Sequence, residues 1–170
     1  MNRRIAGLAM AMGVFAADQA SKYWILNGLR LPDRGMVEIL PVLNFVMVWN
    51  HGITFGMFSN PSLLAGTILA LIALAVVAGL IAWLWRVERL TTTLAIGAIT
   101  GGAIGNVLDR VRHGAVVDFI EAHIGPYSWY VFNVADAAIV CGVSVLLLES
   151  LFQRDAPALS KQGTGDKEAP

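Results

Sequence analysis

The chain has 170 residues, 56% of them hydrophobic and 14% charged, with a formal net charge of zero. Its mean hydropathy of +0.65 lies well to the apolar side of soluble domains. No long basic run occurs, so nucleic-acid binding has nothing to rest on, and the composition is that of a membrane protein.

The chain opens Met1-Asn2-Arg3-Arg4 and continues as an apolar run from Ile5 to Ala17 that ends at Asp18. This imitates a secretory signal peptide, with Ala16-Ala17 small enough for cleavage. Apolar character resumes at Tyr23-Trp24-Ile25-Leu26, however, so residues 5–29 are read as a first membrane helix. Asp18 and Lys22 are four apart, on one helix face and within ion-pair reach, which lowers the cost of both. Their expected role is structural support near the outer end of that helix.

After Gly28 the character changes. Pro32, Asp33, Arg34, Gly35 and Pro41 interrupt, and Val42 to Trp49 is rich in β-branched and aromatic residues. Residues 36–58 are expected to form short strands of a small extracytoplasmic sheet between helices 1 and 2, its apolar side against the membrane surface. Within it lies Asn50-His51-Gly52-Ile53-Thr54-Phe55-Gly56. Its glycines permit backbone geometries that let a substrate chain approach, and Asn50 can hydrogen-bond a peptide. Alone, such a string is more often a turn than a site.

Ser59-Asn60-Pro61 reads as a helix start, and residues 62–85 follow without a charge as the second span. Trp83 and Trp85 mark an interface, with the charged turn from Arg86 to Arg89 beyond it. The third span, 94–110, carries Gly97, Gly101 and Gly105 at four-residue spacing, a stripe that lets a neighbouring backbone approach closely. Asn106 and Arg110 fall one turn apart on one face, where an arginine can anchor at the interface or hold a carboxylate or lipid phosphate. Tyr127, Trp129 and Tyr130 read as an aromatic belt on the side of Tyr23 and Trp24. The fourth span, 132–152, opens with Asn133 and Asp136, where a helix N-terminus favours negative charge. Residues 1–152 are thus expected as one catalytic domain, a mainly α four-transmembrane-helix bundle. Residues 153–170 are read as a disordered cytoplasmic tail.

The stretch from Gly101 to Asp136 holds four of the chain's twelve carboxylates. Asp118 in VVDF and Asp136 in FNVAD each sit between apolar neighbours. An ionised Asp at the centre of a membrane helix costs roughly 2.5–3.5 kcal/mol, so such residues usually face a polar cavity. A single Asp is as readily a helix-end residue at the membrane surface. A pair brought together shares one proton, so that one carboxyl donates to a carbonyl while the other takes a proton from water. Other chemistries leave little trace. There is no H-E-x-x-H; His51, His113 and His123 lack short metal-ligand spacing; Ser21 and Lys22 point apart on a helix; and Cys141 lies in an apolar run with no disulfide partner. The main alternative is a small proton-coupled transporter using the same aspartates. A relay of that kind needs polar groups throughout the bilayer depth, which 62–85 does not supply. A non-catalytic assembly subunit, the third option, would tolerate amides at both positions.

Five strings occur in order: Asp18-x-x-x-Lys22, Asn50-x-Gly52-x-x-Phe55-Gly56, Gly101-Gly102-Ala103-x-Gly105-Asn106-x-x-Asp109-Arg110, Val116-Val117-Asp118-Phe119, and Phe132-Asn133-x-Ala135-Asp136. Together they resemble the successive motifs of the lipoprotein signal peptidase, or signal peptidase II, family over residues 15–139. Thr54 departs from the smaller residue, typically Ala, expected in the second motif, which bears on local packing. The resemblance implies an aspartic endopeptidase of the bacterial inner membrane that cuts diacylglyceryl-modified prolipoproteins before the lipidated cysteine. Carried onto matching positions, it makes Asp118 and Asp136 catalytic, gives Asn50, Gly52, Asn106, Arg110 and Asn133 to substrate positioning, and leaves Asp18 and Lys22 as support. It implies membrane lipids as surroundings and no metal, cofactor or obligate protein partner. With four spans both termini share a side. Arg3, Arg4, Arg86, Arg89, Arg154 and Lys161 make that side cytoplasmic against the opposing Lys22, Arg30, Arg34, Arg110 and Arg112, and place the aspartates near the periplasmic face.

Overall fold

The computed structural model of the protein describes residues 2–52 and 63–154. Thr54, Phe55, Gly56, the Ser59-Asn60-Pro61 helix start and the tail beyond Arg154 lie outside the described residues. Helix α1, Arg3–Tyr23, is capped by Asn2, whose side chain accepts from the Arg4 N–H, and it continues as a π-helical turn, Trp24–Gly28. Arg30, with φ of 52°, then turns the chain into the short α2, Leu31–Arg34, which has Pro32 in its first turn. Strands β1 (Met36–Leu40) and β2 (Leu43–Asn50) follow, then helices α3 (Leu63–Leu84) and α4 (Leu90–His113). Strands β3 (Val116–Ile124) and β4 (Tyr127–Ser128) lead into α5 (Val134–Arg154).

Among the described residues, three segments, Gly66–Leu84, Leu90–His113 and Val134–Phe152, are long and apolar enough to cross a membrane. Helix α1 has the length, but Asp18, Gln19 and Lys22 make it less apolar, so length and composition yield three spans rather than the expected four.

The sheet also differs from expectation. It is antiparallel, in the order β1-β2-β3-β4, so half of its strands come from the segment between α4 and α5 rather than from between the first two long helices. Asp118 therefore sits on a strand. The pairing sets Asp118 opposite Val48 and Asn50 opposite Val116. Val117 and Phe119 join a core with Ile25 and Leu31, against which Phe45 and Met47 pack. The Phe45 and Phe119 rings meet edge-on with centroids 5.7 Å apart. Because a strand alternates its side chains, Asp118 points to the opposite face from these two neighbours.

Helix α4 is the centre of the bundle. It packs against α1, α3 and α5, while α3 and α5 flank it without packing extensively on each other. The glycine stripe makes this possible. A Cβ on Gly97 would lie 2.3 Å from the Gly7 carbonyl oxygen, and one on Gly101 would lie 2.3 Å from that of Ala11. Gly102 lies as close to α5, where a Cβ would meet the Ala135 oxygen at 2.6 Å. Gly101→Val should force α1 off α4 and cost ~3 kcal/mol or more. Thermal unfolding of the purified protein in detergent checks this, and an unchanged midpoint would mean the helices are free to separate.

One end of the bundle is clipped by arginines. Arg3 donates to the Glu88 carbonyl, and Arg4 donates to that of Trp85 at 3.1 Å while its guanidinium lies 4.9 Å from the centre of the Trp85 ring. The opposite end of α4 closes at Gly114, whose φ of 71° favours glycine and whose N–H bonds Arg110 O at 3.0 Å. The sheet, Asp18, Lys22, Asn50, Asn106, Asp118, Asn133 and Asp136 gather at that second end.

Candidate active site

Asp136 is the third residue of α5 and Asn133 precedes the helix. The Asn133 side-chain oxygen accepts from the Asp136 N–H at 2.9 Å, and Asp136 Oδ2 accepts from the Asn133 N–H at 3.2 Å. This is a reciprocal capping box, with Asn and Asp in the positions commonly held by Ser or Thr and Glu. It fixes the Asn133 amide so that its Nδ2 donates to Asp118 Oδ1 at 2.6 Å and to Asn106 Oδ1 at 3.2 Å. One asparagine thus touches both aspartates from the gap between strand and helix.

Two further amides point at the pair. Asn50 Oδ1 accepts from the Gly52 N–H at 3.0 Å, a local turn that aims its Nδ2 at Asp118 Oδ2, 2.9 Å away. Asn106 Nδ2 donates to Asp136 Oδ1 at 2.8 Å while its oxygen accepts from Lys22 Nζ at 3.0 Å. In each of the three asparagines the oxygen is held by a separate donor, so the NH2 group is left to face a carboxylate. Arg110 donates through Nη2 to the Gly52 carbonyl at 2.9 Å and through Nη1 to Asn106 O at 3.3 Å, holding the turn after β2 rather than a carboxylate. Among the described residues its buried Nε has no partner.

Asp18 and Lys22 form the expected pair, Nζ to Oδ2 at 2.8 Å, but they belong to a larger cluster. Lys22 also pairs with Asp109 at 2.7 Å, and Gln19 donates to both carboxylates at 3.1 Å. Asp18 Oδ1 accepts from the Ala135 N–H at the start of α5, and Asp109 Oδ2 accepts from the Val117 N–H beside Asp118. The backbone on which each candidate aspartate stands is therefore bonded to this cluster. Gln19 and Asp109 were not assigned a role from the sequence. The signal for Gln19 there is a polar side chain in an otherwise apolar stretch, and that for Asp109 is its place in the third of the five strings, one turn from Asn106.

Asp118 is only 2% exposed, whereas Asp136 is half-buried. Burial first, and the charge of Asp136 second, push the Asp118 carboxyl up to about 7, against the bonds from Asn50 and Asn133 that favour its ionised form. Near neutral pH this carboxyl is poised to hold or release a proton. The site can therefore present two carboxyl groups, one of them poised to hold a proton, in one hydrogen-bonded unit framed by three oriented amides.

A family model described as signal peptidase (SPase) II matches residues 10–152. The lipoprotein signal peptidase of Methylorubrum extorquens (strain PA1) is 45% identical over 152 residues, covering 89% of this chain and 88% of that one. That of Nitrobacter hamburgensis is 43% identical over 155 residues, covering 89% and 94%. Among solved structures, one bacterial membrane enzyme superposes with a TM-score of 0.78 at 26% identity, covering 94% of both chains. A second gives 0.72 at 29% identity, covering 88% of this chain and 94% of the other. With the match extending from α1 to α5 and spanning every residue of the network, the chain belongs to the signal peptidase II family.

Proposed function

We propose that the protein is an aspartic endopeptidase that removes signal peptides from diacylglyceryl-modified bacterial prolipoproteins, cutting before the lipidated cysteine, with Asp118 and Asp136 as the reacting pair. The observation that carries this reading is Asn133, which bonds both aspartates and so binds a strand carboxyl and a helix carboxyl into one unit. Asp118 holds the shared proton and donates it to the scissile carbonyl oxygen. Asp136 takes a proton from the attacking water. As the tetrahedral intermediate collapses, that proton passes to the departing amine and Asp118 regains its own. Asn50, Asn106 and Asn133 keep the two carboxyls oriented, and Arg110 holds Gly52 where a substrate backbone can reach it. Asp18 and Lys22, with Asp109 and Gln19, support the frame.

The same proposal gives α1 as a fourth span, its Asp18 and Lys22 neutralised inside the bundle. Arg3, Arg4, Arg86 and Arg89 at the end away from the aspartates favour a cytoplasmic position for that end and a periplasmic one for the site. The exposed Tyr23, Trp24, Tyr127 and Trp129 then lie at the outer interface.

The test is cleavage by the purified protein in detergent of a prolipoprotein with and without its diacylglyceryl group, with the new N-terminus read by mass spectrometry. A product beginning at the lipidated cysteine, formed only from the modified substrate, is expected. Equal cutting of both substrates would remove the lipid from the recognition, and no cutting of either would overturn the reading. In the same assay kcat/KM should fall above about pH 7, because ionising Asp118 leaves no proton for the oxyanion. The fall should approach tenfold per pH unit, with an apparent pKa that belongs to the pair. A rate that stays flat from pH 6 to 9 would mean Asp118 is not the acid.

A further inference from the structure

At the end of the bundle away from the aspartates, a cavity of about 630 Å³ opens between the C-terminal ends of α3 and α5 and the start of α4. Trp83 and Leu146 give it apolar walls, and Arg89, Thr92 and Glu149 give it polar ones. The Glu149 carboxylate is fixed, since the hydroxyls of Thr91 and Thr92 both donate to it. Arg89 is exposed, and among the described residues its guanidinium has no hydrogen-bond or ion-pair partner; only its carbonyl is engaged, by Thr93. A held carboxylate and a guanidinium that acts on it through space, without a hydrogen bond between them, thus share one pocket.

The position of the pocket says what can fill it. Because α3 and α5 flank α4 without packing extensively on each other, the space between them within the bilayer is open to acyl chains. Both helices bear exposed aliphatic side chains, among them Leu74 and Val76 on α3 and Val143 and Leu147 on α5. Trp83, 44% exposed at the pocket wall, marks the level at which chains give way to headgroups. We propose that the cavity binds the headgroup of an aminophospholipid, with its phosphate on Arg89, its primary ammonium on Glu149 and an acyl chain lying between α3 and α5. A purely anionic headgroup would set its charge against Glu149, with Glu88 also at the pocket. A quaternary ammonium has no N–H to donate to a carboxylate. A primary ammonium supplies three such donors.

The test is lipid titration of the full-length protein in detergent, read by native mass spectrometry. The probes are phosphatidylethanolamine, phosphatidylcholine and phosphatidylglycerol with identical chains. The ethanolamine lipid should bind about tenfold more tightly than the other two, the worth of one charge-assisted hydrogen bond. Glu149→Gln should erase that preference, and Arg89→Ala should weaken all three lipids. Equal affinities, a preference for phosphatidylglycerol, or a preference that survives Glu149→Gln would overturn the assignment. If Glu149→Gln fails to accumulate, the ranking in the wild type and the loss in Arg89→Ala decide, because Arg89 supports no contact that folding needs.

Discussion

Asp118→Asn and Asp136→Asn each lower turnover of a lipidated prolipoprotein by at least about 10³-fold, the upper part of the range for removing a positioned proton donor or acceptor. The amide keeps the shape and removes the titration, yet neither substitution is silent in this site. Asp118 accepts from Asn50 Nδ2 on one oxygen and from Asn133 Nδ2 on the other. A new amide offers one oxygen only, so its NH2 must face a second NH2. Neither neighbour can turn over to relieve this, because their own oxygens already accept from the Gly52 and Asp136 N–H groups. A stability loss of ~1–3 kcal/mol is therefore expected beside the kinetic one. Asp136 is in the same position between Asn106 Nδ2 and the Asn133 N–H. The comparison must be made at matched folded yield, with substrate binding measured separately. A variant that binds substrate and keeps more than a tenth of normal turnover would exclude its aspartate from the chemistry.

The second large effect is expected in the ion cluster one hydrogen bond behind the aspartates. Lys22→Met leaves Asp18 and Asp109, respectively unexposed and 2% exposed, without the ammonium that lies 2.8 and 2.7 Å from them. Breaking a buried pair in this way costs about 3–5 kcal/mol, because the remaining charge has no compensation. For a chain of this size that is a fall in thermal midpoint on the order of 10 °C. The triple variant Lys22→Met, Asp18→Asn, Asp109→Asn carries no charge to strand and should regain a large part of the loss. Activity should stay low in both, since the Asn106 oxygen loses its 3.0 Å bond from Lys22 and keeps only the 3.2 Å bond from Asn133, which loosens its orientation towards Asp136. Differential scanning fluorimetry in detergent distinguishes the variants. A midpoint within a few degrees of wild type for Lys22→Met would show that the cluster is hydrated and contributes little.

The long helices and the Asp18–Lys22 contact were legible in the sequence because each rests on local pattern: apolar runs and a four-residue spacing. The pairing of Asp118 with Asp136 comes from the family resemblance, since the two lie eighteen residues apart on different elements. Strand β3 was not legible. Its Val117 and Phe119 alternate with Asp118 as a half-buried strand requires, but the register that makes it a strand comes from β2, with Asn50 set opposite Val116. Long-range pairing of that kind leaves no mark within VVDF. The apolar neighbours of Asp118, read as a penalty on the charge, in fact point to the other face and pack on Ile25 and Leu31. Asp109 escaped for a related reason. Its value lies in meeting Lys22 from α1 and the Val117 N–H from β3, and neither contact can be inferred from its own neighbours.

In the capping box of α5, the carboxylate that starts the helix is also the base of the proposed reaction. When Asp136 takes a proton from water it becomes a poorer acceptor for the Asn133 N–H, and the positive end of the helix faces a neutral group instead of an anion. In the proposed mechanism the first turn of α5 is thus held least firmly during the lifetime of the tetrahedral intermediate and regains its hold when the proton leaves with the amine. Either exit from that intermediate restores the same cap, so the helix start and the reacting carboxyl share one proton-dependent contact.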